Sequence, residues 1–423
     1  MAANRGDADT IDVERLASSI KVSMSKYDLF VSPNRSIFKT PIALSRHNKN
    51  AYIPNAFSIG PLHHGRPKLK TAETIKAKYL QGLISRSPDP NAMLKDLINS
   101  VNALEREARE YYAELIRYSR EEFLKILVID GCFIIELFCR FVYEDLRAEN
   151  DPIFSMAGMV EVLDHDLILL ENQVPWMVLE HLFRKIMVPK SDTALSQFAI
   201  AFFRNILAFP PIGRSDHLRD IKHIPDLFKK WLVSSIKVDE EKKLLSQWEL
   251  VSSATRLAEA GIKFRRSKSS NILEIKFENG VLEIPLIKIH EHTETFFRNL
   301  ISFEQCYPNS DAIITSYAIL LDNLINTAKD VEILCENKIL NNWLNPEDAV
   351  KFFNKLYHDT YVDHYYYKNL CQEVNSFCQR RWPRWRAVLV RNYFNTPWAV
   401  LSTLAAITLL ILSILQTFYT IKS

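Results

Sequence analysis

Glycine is nearly missing from this chain, with 9 in 423 residues, about 2% where proteins average roughly 7%. So few positions tolerant of left-handed backbone exclude folds built on many tight turns and favour helix. The six cysteines include no CxxC pair, which removes a zinc framework. Cys132/Cys139 and Cys371/Cys378 are each seven apart, on one face of a helix, and read as free buried thiols of a reducing compartment. No apolar run opens the chain, because Asp7, Asp9, Asp12 and Glu14 occupy the place of a signal peptide's core. Ala2 excludes myristoylation, and Ile421-Lys422-Ser423 is neither a prenylation nor a peroxisomal ending. Asn34-Arg35-Ser36 is the one glycosylation sequon.

Acidic residues are absent from position 380 onward, where Arg380, Arg381, Arg384, Arg386, Arg391 and Lys422 stand. Of the 53 basic and 50 acidic residues, the first 379 positions therefore hold 47 and 50, a net charge of −3. A slightly acidic body lacks the field that non-specific nucleic-acid binding needs, so no nucleic-acid partner is expected.

What is present is one long uncharged stretch, Trp398 to Ile421. Its 24 residues rise about 36 Å as a helix, enough to cross a hydrocarbon core of roughly 30 Å. Trp382, Trp385, Tyr393, Phe394 and Trp398 before it, and Tyr419 near its end, sit where interfacial aromatics do. A single membrane span at 398–421 follows, with the lipid bilayer as partner. Five arginines precede it and only Lys422 follows, so the positive-inside rule leaves the body in the cytosol and makes the chain tail-anchored. The basic and aromatic segment 380–397 serves as anchor flank or as a holder of anionic headgroups.

Residues 1–27 are polar and read as loosely ordered, followed by an α-rich body over 28–379. Helical spacing starts near residue 72 with Ile75, Tyr79, Leu80, Leu83 and Ile84 and continues through 92–118 and 121–147. Phe123 to Phe141 is apolar on most faces but holds Asp130 and Glu136. Those acids would be costly in lipid, so this is a central buried helix. Pro175 suits the first turn of a helix to Ile186, and Asn345-Pro346-Glu347-Asp348 reads as an N-cap followed by a helix start. Ser253–Ala260 is a short helix that Gly261 closes, with Ile262 touching Leu257. Asn271–Phe277 and Val281–Ile289 alternate around Glu278-Asn279-Gly280, a β-hairpin over about 271–289. The fold class is mainly α: a multi-helix globular body with this small hairpin and one C-terminal transmembrane helix.

Chemistry is harder to find. Gly60-Pro61-Leu62-His63-His64-Gly65-Arg66-Pro67 has the glycine spacing of a Walker A loop. Arg66 and Pro67, however, stand where lysine and a hydroxyl are needed, and the prolines lack phosphate-cradling N–H groups, so it reads as a rigid turn. His63 and His64, the Asp164-His165-Asp166 cluster, Glu171 and the His290-Glu291-His292 run carry metal-capable atoms without an HExxH framework. Thr293 looks like a helix N-cap, which makes His290–His292 a loop entering a helix. No GxSxG elbow occurs and no cysteine lies beside a histidine. Lys263–Lys268 reads as a solvated basic loop. No cofactor is expected.

Four peptides together resemble a plant family catalogued as domain of unknown function 247. They are Ala51-Tyr52-Ile53-Pro54 through Ser58-Ile59-Gly60-Pro61-Leu62-His63-His64-Gly65, Asp166 through Glu171-Asn172-Gln173-Val174-Pro175, Glu259-Ala260-Gly261-Ile262-Lys263-Phe264, and Phe296 through Glu304-Gln305-Cys306. Leu62, where an aromatic is expected, and the loose entry Asn34–Phe38 depart from the pattern. The resemblance spans about 28–423 and implies a plant membrane protein, at the plasma membrane, with an α-rich body and no catalytic residues to carry over. Relatives have been linked to self-incompatibility recognition in grasses. The expectation is a membrane-tethered, non-enzymatic recognition or signalling module with an unknown protein partner. Its candidate surface or structural junction is His63, His64, Gly65, Arg66, Glu171, Asn172 and Gln173. The alternative is a membrane-bound hydrolase or metalloenzyme using His63, His64, Asp164, His165 and Glu171.

Overall fold

Ser119 and Glu122 form a reciprocal capping box at the start of a 23-residue helix, Arg120–Val142, and the body is assembled around it. The computed structural model describes residues 12–26, 32, 34–187, 193–203, 218–234, 236, 249–269, 271–290, 292–308, 310–342, 344–380 and 397–422. The first helices are α1 (Val13–Lys26), α2 (Ile42–Ser45), α3 (Lys70–Ile84), α4 (Pro90–Asn102), α5 (Glu105–Glu110) and the central α6 (Arg120–Val142). Next come α7 (Met159–Ile168), α8 (Trp176–Met187), α9 (Leu195–Phe202), α10 (Ile224–Val233) and α11 (Ala254–Glu259). The last are α12 (Thr293–Cys306), α13 (Ile313–Leu324), α14 (Ala328–Glu336), α15 (Pro346–Lys355), α16 (Lys368–Cys378) and α17 (Pro397–Lys422). The protein is mainly α, as its composition implies.

α6 packs against α3, α4, α8 and α9. At Gly131 an added Cβ would stand 2.5 Å from Leu182 Cδ1, so glycine sets how closely α6 and α8 approach. The two acids of this apolar helix are buried, Asp130 at 1% and Glu136 at 0% exposure. Each meets a cation from a neighbouring segment, and Glu136 also one from its own helix. Lys76 of α3 reaches Asp130, and Arg86 and Arg140 grip Glu136. A second layer holds α12 against α7, α10 and α13, with α13, α14 and α15 packed beside it.

The strands are short: β1 (Lys263–Arg266), β2 (Lys276–Glu278), β3 (Val281–Ile284), β4 (Ile287–Ile289) and β5 (Leu340–Asn342). β2 and β3 are the expected hairpin, antiparallel with Phe277 opposite Leu282. Asn279 and Gly280 both have positive φ, 51° and 76°, as a two-residue hairpin turn demands. Several features differ from the expectation. β2 starts only at Lys276, because Asn271–Glu274 form a turn with Glu274 N–H on Asn271 C=O at 3.1 Å. The helical spacing of 92–118 ends at Glu110, beyond which Tyr112 bridges Ile37. Pro285 has no N–H to give the ladder, so the hairpin stops at Ile284, and Ile287–Ile289 pairs in parallel with β5 instead. Lys263–Arg266 is no solvated loop but the third strand, parallel to β3, with Arg265 on Glu283 at 3.0 Å. The turn at Gly261 (φ 98°) explains it: Ile262 N–H bonds Leu257 C=O at 3.0 Å, closing α11 as anticipated. The chain then runs straight into β1 with Phe264 buried.

Other ends are close to expectation. Asn345 accepts from Asp348 N–H at 2.8 Å to cap α15. α8 starts at Trp176, directly after Pro175, whose C=O receives Val178 N–H at 3.0 Å. α12 starts at Thr293, whose Oγ1 accepts from His290 N–H at 2.9 Å. The segment expected to be loosely ordered holds α1, a helix whose described side chains are exposed. At the other end, α17 is long and apolar enough to cross a membrane, with Val400–Ile421 at a mean hydropathy of 2.0 and none of its most apolar window buried.

Candidate functional site

The loop before α3 and the turn after α7 meet in the interior. Asp166, at the end of α7, is 0% exposed. It accepts the backbone N–H groups of Asn55, Ala56 and Phe57 at 2.7, 2.8 and 2.7 Å. Asn172 continues the pattern. Its Oδ1 accepts Ile59 N–H at 2.7 Å, and its Nδ2 donates to Phe57 C=O and Asp166 C=O, both at 2.9 Å. Gln173 Nε2 donates to Leu167 C=O and Leu169 C=O at 2.7 Å each, while its Oε1 accepts from Ile224 N–H at 3.1 Å. The loop passes from exposed Asn55 into the interior at Phe57 to Gly60, where its peptide groups have no neighbouring strand. These side chains take the strand's place, because a buried unpaired N–H is expensive.

The loop's next residue joins a charge pair. Gly60 N–H donates to Asp130 Oδ2 at 2.8 Å. Lys76 Nζ lies 2.5 Å from Asp130 Oδ1, 2.8 Å from Ser58 C=O and 2.7 Å from Glu73 Oε1. Burial by itself would lower the Lys76 ammonium, but Asp130 and Glu73 outweigh it and hold it above its ordinary value. Gly60 also has φ 70°, and an added Cβ would fall 2.1 Å from Gln173 C=O oxygen. No other residue fits where the two motifs touch. The Phe296–Cys306 peptide joins through Asn299, whose Nδ2 donates to Ala51 C=O at 2.8 Å and whose Oδ1 accepts Leu170 N–H at 2.9 Å. Three of the four peptides singled out in the sequence therefore form one polar joint. The Glu259–Phe264 peptide lies elsewhere, at the α11–β1 corner.

Ile224 opens α10, and the preceding His223 caps that helix from a fully buried position (0% exposure). Its Nδ1 accepts Asp226 N–H at 3.2 Å, and Nε2 lies 2.9 Å from Ser36 C=O, which it serves as donor. Those roles suit the neutral ring alone. Burial, only partly opposed by Asp226, pushes the imidazole down to about 4 from its ordinary 6.5. The unfolded chain thus binds the proton first, and the contribution is whole above pH 6.5 and lost as pH falls toward 4. Between pH 7 and pH 4.5 it removes about 2.5 kcal/mol of stability. His223→Asn keeps a capping oxygen but no titration. Denaturant unfolding at the two pH values should show the variant losing about 2.5 kcal/mol less than the parent.

The residues of the alternative, enzymatic reading do not converge. His63 is 1% exposed, with Nε2 3.5 Å from Glu171 Oε2 and neither ring nitrogen hydrogen-bonded among the described residues. Glu171 Oε1 accepts Thr40 N–H at 2.9 Å. His64 turns toward Glu73 at 4.0 Å and stacks edge-on against Tyr118. Gly65 (φ 79°) and Arg66 are exposed at the rim. Asp164 is buried, and that burial, with Glu161 nearby, pushes its carboxyl well above the usual range. His165 Nδ1 sits 3.0 Å from Asp166, and its ring lies against His292. Among the described residues no three histidine, cysteine or acidic side chains are grouped to hold a metal.

The six cysteines are free. Burial pushes the Cys139 thiol up to about 12 and that of Cys306 to about 11, the reverse of an activated nucleophile. An open cleft of about 570 Å³ lies between the hairpin tip and α16, lined by Asn279, Gln372, Glu373, Phe377 and Arg380 among others. It holds none of the joint's residues. Of the anchor flank, Arg380 lies over the Phe377 ring at 5.3 Å. Arg381, Arg384, Arg386 and Arg391 lie outside the described residues, as does the side chain of Trp398.

With this geometry established, the family model for domain of unknown function 247, described as plant protein of unknown function, matches residues 37–412. The chain belongs to this plant family. The family's matched range contains the whole joint, from Ala51 to Asn299. Two similar proteins of Arabidopsis thaliana are known by name. The UPF0481 protein At3g47200 is 29% identical, over 92% of this chain and 86% of its own length. The putative UPF0481 protein At3g02645 is 23% identical, over 96% and 94%. No solved structure matches the chain.

Sequence reasoning singled out Asn172 and Gln173 but missed Lys76, His223 and Asn299. Asp130 was the available signal for Lys76, since a charged acid buried in an apolar helix calls for a buried cation.

Proposed function

We propose that the chain is a non-enzymatic interaction module, tail-anchored in the plasma membrane by α17 with its body in the cytosol. The observation that carries this reading is the commitment of the motif side chains. Asp166, Asn172 and Gln173 spend their polar atoms on backbone, which builds a rigid body and leaves Gly65 and Arg66 as its exposed rim beside half-buried His64. Rigid presentation beside a membrane suits a weak binding surface, because tethering raises its effective concentration. The test is protease treatment of N-terminally tagged full-length protein in sealed, right-side-out plasma-membrane vesicles, followed by cross-linking. The tag should survive until detergent is added, and a discrete protein adduct should form that Arg66→Glu weakens. Loss of the tag from intact vesicles, or turnover of a small molecule by the purified chain, would overturn the reading.

A further inference from the structure

β2 is an edge strand of its sheet, in which the strand order is β1-β3-β2. Across a two-residue turn the flanking pair Glu278/Val281 is the hydrogen-bonded one, so the next pair, Phe277/Leu282, is not. Phe277 therefore points its N–H and C=O away from β3, out of the sheet. Unpaired groups on a sheet edge are a template for another strand. Phe277 also lines the cleft of about 570 Å³ between the hairpin and α16, a volume within the roughly 300–1,000 Å³ of ligand clefts. Gly280 seats the hairpin on α16, since an added Cβ would stand 2.7 Å from Phe377 Cζ. The Phe277 and Phe377 rings meet edge-on at 5.7 Å and give the cleft an apolar lining.

On α16, Asn369, Gln372 and Ser376 line the same cleft. They recur at three- and four-residue spacing, on one stripe of the helix. Their side chains are exposed and make no hydrogen bond among the described residues. Amides and hydroxyls both donate and accept, as peptide groups do. Glu373 and Arg380 add one charge of each sign, so neither an anionic lipid nor a nucleic acid gains from this lining.

We infer that the cleft binds an extended peptide segment of a partner protein, which adds to β2 as a further strand and lies between it and α16. The sheet edge supplies the backbone hydrogen bonds, and the α16 stripe faces the side chains of alternate peptide residues. This site is separate from the rim of the joint and stands whether or not that rim meets a partner.

A displayed library of random short linear peptides, panned on the full-length protein in detergent, tests the inference. Selected peptides should slow exchange of the Phe277 amide about tenfold. N-methylation of alternate peptide residues should weaken binding about tenfold, and methylation of the residues between them should not. Ser376→Trp, on the exposed face of α16, should abolish binding and leave exchange in α6 unchanged, which shows that the body still folds. A library without a binder overturns the inference. So do peptides that bind Ser376→Trp equally well, that leave the Phe277 amide unprotected, or that tolerate methylation equally at every position.

Discussion

Asp166→Ala should lower the stability of the full-length protein by about 5 kcal/mol, a large fraction of the roughly 5–15 kcal/mol a domain has. The substitution removes the acceptor of three backbone N–H groups, those of Asn55, Ala56 and Phe57. Leaving one unpaired costs about 1–3 kcal/mol where it is buried, most for buried Phe57 and least for Asn55, which is an exposed residue. The effects are not fully additive, since the loop is able to shift toward water. Asp166→Asn tests the cause more sharply, because it keeps one oxygen but turns an NH₂ toward N–H donors, for a loss of about 3 kcal/mol. Arg66→Ala, on the exposed rim of the same motif, should stay within about 0.5 kcal/mol. Denaturant midpoints of the four proteins in one detergent measure all of this. Equal effects of Asp166→Ala and Arg66→Ala would contradict the joint as the reason for the motif.

Lys76→Met has the next largest expected effect, about 3–5 kcal/mol. Lys76 is 0% exposed and joins Asp130, Glu73 and Ser58 C=O. Methionine matches its apolar stem, so packing survives and the loss is electrostatic: Asp130 is left buried with Gly60 N–H as its described hydrogen bond. Lys76→Met/Asp130→Asn should therefore be more stable than the sum of the single losses, by about 1–3 kcal/mol in a double-mutant cycle. Additive losses would show that the two groups do not depend on one another.

Much of the fold is legible locally. The uncharged run that forms α17, the Asn345 cap, the Gly261 ending and the Asn279-Gly280 turn are each written within a few residues, so physics acting over one turn suffices to read them. The β-ladder at Ile287 was misread because its partner, Leu340, is far along the chain and Pro285 outweighed the apolar alternation. The joint shows the same limit. The peptides that carry Asn55, Asp166 and Asn299 were recognisable as motifs, but their meaning is pairwise: a carboxylate serves N–H groups more than a hundred residues earlier. Nothing in the spacing within either motif says that it completes the other. His63 beside Glu171 is the one pair that the enzymatic reading and the structure share, and no third metal ligand is grouped with it among the described residues. The Cys306 thiol near Glu171 is pushed up by burial and by that carboxylate, the reverse of an activated nucleophile.

Hydrogen exchange across residues 55–60 decides whether these motifs exist to satisfy the peptide groups of the loop. The amides of Asn55, Ala56, Phe57, Ile59 and Gly60 should exchange as slowly as those of α6, opening only when the body unfolds. Asp166→Ala should release the first three selectively. Fast exchange of these amides in the parent protein, at the rate of an exposed loop, would contradict the account and return the motif to the list of functional surfaces.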